Sequence, residues 1–308
     1  LTGGRATADL TDFLTLGLTF VNSHNGTGAA EAFQGNAFTG RVNSEQLGQR
    51  LELIVLRLAD DSPEDNEGGA TLFAWDLLIE ADIESLDEAG EPSIKRQVIR
   101  ASDVGLIPAP QGGFQRLGFW EANGSEQIEL VYDFGSGTYS GPDPSEIRLV
   151  TFELVVANDY RVEVSSDRQN NRQRNNVFLL AARADENVKD GSNLKVLKIP
   201  YGLPTATEIY GFTLEAKDIL GFDFYGEFDR SVSYRKYPNR QQTKHIKAST
   251  HGDGWMMNLS KIAQPWFFFS EAYSMDHNYN TSAILAKGEI SIDYEDRTKF
   301  YYEFVSFT

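Results

Sequence analysis

One stretch of this chain gathers five carboxylates within ten residues: Asp60-Asp61-Ser62-Pro63-Glu64-Asp65-Asn66-Glu67-Gly68-Gly69. Calcium takes about six to eight hard oxygen ligands, and carboxylates closely spaced on a turn supply them. Asp60, Asp61, Glu64, Asp65 and Glu67 are therefore candidate calcium ligands. Twelve acidic residues lie between Arg57 and Lys95 without a base, so a bound cation would relieve their mutual repulsion. The spacing departs from the EF-hand loop, D-x-[DN]-x-[DN]-G. The competing reading is a solvated acidic loop that keeps the surface soluble.

A second chemistry is sugar binding, in which an aromatic face packs on the apolar face of a pyranose beside amide and carboxylate groups. Trp120, next to Glu121 and Asn123, is the candidate glycan site. Trp75 lies within an apolar run and reads as core. Catalysis has no comparable signal. Glycoside hydrolysis needs two carboxylates about 5–10 Å apart, but a chain with 45 acidic residues always offers a pair on paper. The histidines His24, His245, His251 and His277 lack metal-ligand spacing. No nucleophile elbow, phosphate loop, dinucleotide fingerprint or H-E-x-x-H is present. The expectation is a protein without catalysis of its own.

The elements that must position these residues are strands. Hydrophobic content of 41% over 308 residues supports a large core, and Gly 27 with Pro 10 supplies many turns. No run of 18 or more apolar residues occurs, which removes helical membrane spans and leaves strand crossings open. Cysteine is absent, so disulfides and thiolate metal sites are excluded. The sequence starts at Leu1 without Met or a signal peptide, which reads as a processed or partial polypeptide. Net charge is −17, with about −14 carried by residues 1–200 and −3 by 201–308. Such a balance argues against nucleic acid and against docking on anionic lipid.

Two rows of residues alternate clearly. Leu14, Leu16, Leu18 and Phe20 face Thr15, Gly17 and Thr19, and Phe222, Phe224, Gly226 and Phe228 face Asp223, Tyr225, Glu227 and Asp229. Successive side chains of a strand point to opposite faces, so both are period-two amphipathic strands. The second, at about 15 residues, exceeds the usual strand length. The pattern predicts further strands over 194–201, 207–217, 254–262, 266–275 and 299–307, with Trp255, Trp266, Tyr273 and neighbouring aromatics suited to interfacial girdles. Between these ends, shorter apolar runs at 50–58, 70–80, 127–134, 147–157 and 160–164 are separated by turn clusters and predict an antiparallel sandwich. Arg230 and Lys236 interrupt the Phe222 row, which suits a rim and not mid-bilayer.

The segments LTLGLTFVNSH, YGFTLEAKDILGFDFYGEFDRSVSYRKYPN, GWMMNLSKI and PWFFFSEAYSMD resemble strands of large bacterial outer-membrane β-barrels. GFWEANGSEQIELVYDF and IRLVTFELVVANDYRVEVSSDR resemble a jelly-roll module of bacterial cell-surface proteins. Two features depart from that pattern: the chain ends Phe307–Thr308 instead of on a terminal Phe, and the barrel-type strand candidates number only about seven, few for a complete barrel.

The expected architecture is all-β. It comprises a barrel-type strand plus linker over 1–47 and an acidic β-sandwich insertion, jelly-roll-like, over 48–165. A polar return linker over 166–193 leads to antiparallel barrel-type strands over 194–308. The resemblance implies a structural or transport component of a bacterial outer membrane, in contact with the lipid bilayer and with other barrel strands or subunits. The alternative is a secreted soluble surface protein: an adhesin, filament subunit or glycan-binding module, with calcium as the only cofactor considered.

Overall fold

The computed structural model describes residues 2–24, 37–40, 42, 51–65, 68–86, 91–171, 173–238, 247–281 and 294. In chain order the strands are β1 (Thr2–Thr11), β2 (Leu14–His24), β3 (Leu53–Asp60), β4 (Ala70–Leu86), β5 (Pro92–Arg100), β6 (Phe114–Arg116), β7 (Phe119–Ala122) and β8 (Gln127–Asp133). They continue with β9 (Ile147–Ala157), β10 (Tyr160–Ser166), β11 (Leu179–Arg183), β12 (Lys195–Tyr201), β13 (Leu203–Ile219), β14 (Phe222–Lys236), β15 (Lys247–Ala263) and β16 (Trp266–Met275). Among the described residues there is no α-helix, and the fold is all-β and antiparallel. The chain divides into two compact units.

The first unit, Leu1–Arg41, Pro204–Arg235 and Ser249–Ala283, is one six-stranded sheet in the order β1-β2-β13-β14-β15-β16. It is an up-and-down meander interrupted between β2 and β13 and again between β14 and β15, where Lys236–Ala248 belongs to the second unit. The sheet is open: among the described residues no closed barrel is formed, and β1 and β16 are its edges. β1 is absent from the expected strands because TGGRATADLT carries almost no bulky apolar residue. It pairs with β2 so that Ala6 and Ala8 lie opposite Leu18 and Leu16. The strand expected over 299–307 lies outside the described residues.

The second unit, Val42–Leu203, Lys236–Ala248 and Ile284–Thr308, holds two sheets, β11-β10-β3-β8 and β12-β9-β4-β7-β6, with β5 paired to β4. Ile54, Leu56 and Leu58 on β3, with Ile128, Leu130 and Tyr132 on β8, meet Leu77 and Ile79 on β4 and Val150, Phe152 and Leu154 on β9 in one buried cluster. The Tyr132 and Phe152 rings, 5.5 Å apart, join the two sheets. Each fully buried Leu, Ile or Phe there contributes about 1.5–3 kcal/mol relative to exposure. This is a β-sandwich.

Register explains where simple alternation breaks. A bulge between Leu72 and Ala74 inserts Phe73 into β4, so the buried parity changes from Ala70 and Leu72 to Leu77, Ile79 and Ala81. The segment expected as a return linker contributes β11 to the sandwich. Residues 194–201, expected among the barrel-type strands, become β12, which pairs with β9 across Lys195↔Val156 to Tyr201↔Val150. A half-buried sandwich edge and a barrel strand share the same period of two, so periodicity alone does not separate them.

Candidate functional site

The six-stranded sheet has two chemically distinct faces. Pairing puts Leu14, Leu16, Leu18 and Phe20 opposite Ala216, Leu214, Phe212 and Tyr210, and directly opposed residues share a face. The Phe222 row of β14 joins that face. Its Tyr234 donates to Glu208, and the Phe222 ring lies 6.5 Å from Phe268 and 4.3 Å from Lys261 Nζ. With Lys261 come Trp255, Met257 and Leu259 on β15, and with Phe268 come Trp266 and Ala272 on β16. These side chains stay open to solvent: Leu18 is 61% exposed, Phe212 41%, Phe268 49% and Trp266 79%. A contiguous apolar surface of this kind marks an interaction face.

The band has defined limits. At one end the strands are joined by two-residue turns, Asp12–Phe13, Leu220–Gly221 and Gln264–Pro265. There Lys261 folds back, donating to the Leu220 carbonyl at 2.9 Å. At the other end Arg230 makes a bidentate pair with Asp253, at 2.6 and 2.7 Å. Nearby, the buried Glu208 carboxylate accepts from Asn22 Nδ2 at 2.8 Å and from the Tyr210 and Tyr234 hydroxyls at 2.7 Å each. Between these limits β15 runs nine residues from Trp255 to Ala263, against the roughly 9–11 needed for a tilted strand to cross hydrocarbon.

The opposite face is polar over four strands. It carries Arg5, Thr7 and Asp9, then Thr15 and Thr19, then Thr213 and Glu215, and on β14 Asp223, Tyr225, Glu227 and Asp229. Thr15 donates to Asp9 at 2.7 Å and Tyr225 to Glu227 at 2.6 Å. Gly17 and Gly211 sit on this face because a Cβ at either would run into Thr213 Oγ1 or Asp229 Oδ1. The β15–β16 hairpin differs, since its second face shows Ile262, Phe267, Phe269 and Tyr273.

The described residues among those singled out for calcium and glycan lie at one loop end of the sandwich. Asp60 is buried; its Oδ1 accepts from Ser62 N at 3.0 Å and its Oδ2 from Gly124 N at 2.8 Å. Asp61 meets Arg183 Nε at 3.3 Å, and Asp65 meets Lys189 Nζ at 2.7 Å and Asn187 Nδ2 at 2.9 Å. Glu64 is exposed on a short 3-10 turn, Pro63–Asp65, and Glu67 lies outside the described residues. Among the described residues no three carboxylate or imidazole side chains are grouped to hold a metal.

Trp120 turns inward and packs on the sandwich core. Glu121, its neighbour on β7, faces the other way and lies 3.8 Å from Arg116. Asn123 sits in the β7–β8 turn, where its Oδ1 accepts from Gly69 N at 2.8 Å. Asn123 and Asp60 thus belong to one hydrogen-bonded loop end, and Trp120 and Glu121 do not share a face with each other.

Asp159 is the residue that sequence reasoning passed over. It sits in the Asn158–Asp159 turn between β9 and β10, where Asn158 takes the left-handed conformation at φ 67°. Asp159 is 3% exposed, and among the described residues its Oδ2 has no hydrogen-bond partner. Burial raises its pKa, and the charges of Asp60, Asp61 and Asp65 add to the rise against a hydrogen bond from Ser62. The acidic turn following LVVA in the sequence was its one visible signal. No protein-family model matches the sequence, and no curated protein matches it.

Proposed function

We propose that this chain is a structural or transport component of a bacterial outer membrane, with its six-stranded sheet in the bilayer and its sandwich outside the cell. The observation that carries this reading is the bounded apolar band on one face of the sheet, with a polar face behind it. Outer-membrane strands alternate in this way, apolar toward lipid and polar toward the lumen. The Leu14–Phe20 and Phe222–Phe228 rows then face lipid, while Asp223, Glu227 and Asp229 face a wet interior. All three two-residue turns fall on one rim, and the long β2–β13 connection carrying the sandwich leaves from the other. Such barrels keep short turns on the periplasmic side and long connections outside, which orients the sandwich outward.

Charge placement supports the same reading. A lone Arg at the bilayer midplane costs about 2–4 kcal/mol, whereas Arg230 lies at the limit of the band and is neutralised by Asp253. Open edges are not tolerated in hydrocarbon, so β1 and β16 take further antiparallel strands, from this polypeptide or a partner. No step of catalysis is assigned. The second reading, a secreted all-β adhesin, filament subunit or glycan-binding module, draws on the β15–β16 hairpin, whose second face also exposes Ile262, Phe267, Phe269 and Tyr273 beside Asn258 and Glu271 and suits protein contact. Membrane fractionation followed by a heat-modifiability gel decides between them. Retention after salt and carbonate washing, with release only by detergent, supports the barrel; release as soluble material supports the alternative.

A further inference from the structure

We propose that the loop end of the sandwich binds calcium between Asp159 and Asp60, with the Ser62 hydroxyl beside them. Asp159 is 3% exposed, and among the described residues its Oδ2 makes no hydrogen bond. Buried polar oxygens are ordinarily paired, and an ionised one is paired or binds a metal.

The charges nearest Asp159 are those of other carboxylates. Asp60 is 1% exposed, and the Ser62 and Gly124 amides fix its two oxygens. Ligating carboxylates are commonly held by outer hydrogen bonds of this kind. The Asp61 amide donates to the Asp159 carbonyl at 3.2 Å, which ties the β3–β4 loop to the β9–β10 turn. Arg183 and Lys189 engage Asp61 and Asp65. Repulsion from Asp60, Asp61 and Asp65 falls on Asp159 in addition to its burial. A hard divalent cation removes that repulsion and gives Oδ2 a partner. With two carboxylates and one hydroxyl as protein donors, the site belongs in the weak class of extracellular modules, with Kd on the order of 10⁻⁴–10⁻³ M.

The competing occupant of Oδ2 is a proton, and calorimetric titration of calcium chloride into the full chain, in detergent where required, separates the two. The expected result is saturable binding that weakens at least about tenfold in Asp159→Asn, the scale on which ligand-shell changes act. Glu64→Gln retains the parent affinity, and calcium raises the melting temperature of the parent but not of Asp159→Asn. Absence of binding in the parent at about 10 mM calcium, ten times the weakest expected Kd, overturns the proposal, as does unchanged affinity in Asp159→Asn. Should Asp159→Asn fail to fold, the parent titration together with Asp60→Asn decides between calcium and proton on the same criteria.

Discussion

The sandwich and the six-stranded sheet are written in the same alphabet, yet their apolar rows end in different places. In the sandwich, Leu56, Leu130 and Phe152 are fully buried, because a second sheet faces the first. In the open sheet, Leu18, Phe212 and Phe268 alternate as regularly and remain exposed. Period-two patterning therefore fixes that a segment is a strand and which side is apolar. It does not fix what covers that side, which depends on partners distant in sequence or in the solvent itself.

The contrast is sharpest for large deletions in the two regions. Phe152→Ala opens a cavity in the sandwich and is expected to cost about 3–5 kcal/mol, read as a lower urea midpoint for that unit. Phe228→Ala, on the exposed band, is expected to leave the same midpoint unchanged. Next in size, Leu18→Arg on the apolar face is expected to cost about 2–4 kcal/mol of folding into lipid vesicles, while Thr19→Arg, on the opposite face of the same strand, costs much less. Equal penalties at the two positions would erase the distinction between the faces.

A smaller effect is expected at the rim. Leu220 occupies the left-handed region at φ 56° in the β13–β14 turn. A branched side chain there costs roughly 1–2 kcal/mol, so Leu220→Asn should raise stability by about 1 kcal/mol. A loss would mean that the exposed Leu220 side chain is held by something beyond the turn.

The subtlest difference appears as a pH slope. Burial and neighbouring carboxylates raise the Asp159 pKa in the folded sandwich above its ordinary value. A raised folded-state pKa means that the folded form holds the proton more tightly. The contribution of Asp159 is therefore fully favourable below the ordinary carboxylate value of about 3.9 and is lost as pH rises through the shifted one. Without calcium, Asp159→Asn should melt higher than the parent at neutral pH, with the gap closing on acidification. A gap that stays constant with pH would remove Asp159 as its source.

Much of this fold was legible in the sequence. The Leu14 and Phe222 rows became β2 and β14 nearly at their expected limits, and the runs at 127–134, 147–157 and 160–164 became sandwich strands. What escaped has identifiable causes. β1 and β5 are edge strands poor in apolar residues or rich in charge, and tertiary pairing, not propensity, makes them strands. The bulge at Phe73 changed the parity of β4 and is invisible to simple alternation.

The loop end of the sandwich was harder to read. Trp120 and Glu121 looked like one site because they are adjacent, yet adjacency on a strand places side chains on opposite faces. The acidic loop was visible, but the burial of Asp60 and the arrival of Asp159 depend on loops 99 residues apart in sequence, a separation that local composition cannot report.

The absence of cysteine permits a direct test of the central claim, that one face of the six-stranded sheet meets lipid. Single cysteines placed in turn at positions 222 to 229 of β14, in protein reconstituted into vesicles, would be probed with a water-soluble maleimide and a lipid-resident quencher. A strict alternation is expected if that face meets lipid: even positions from Phe222 to Phe228 quenched from the lipid and slow to label, odd positions from Asp223 to Asp229 labelled from water and unquenched. Uniform aqueous labelling along the strand, or quenching without a period of two, would contradict it.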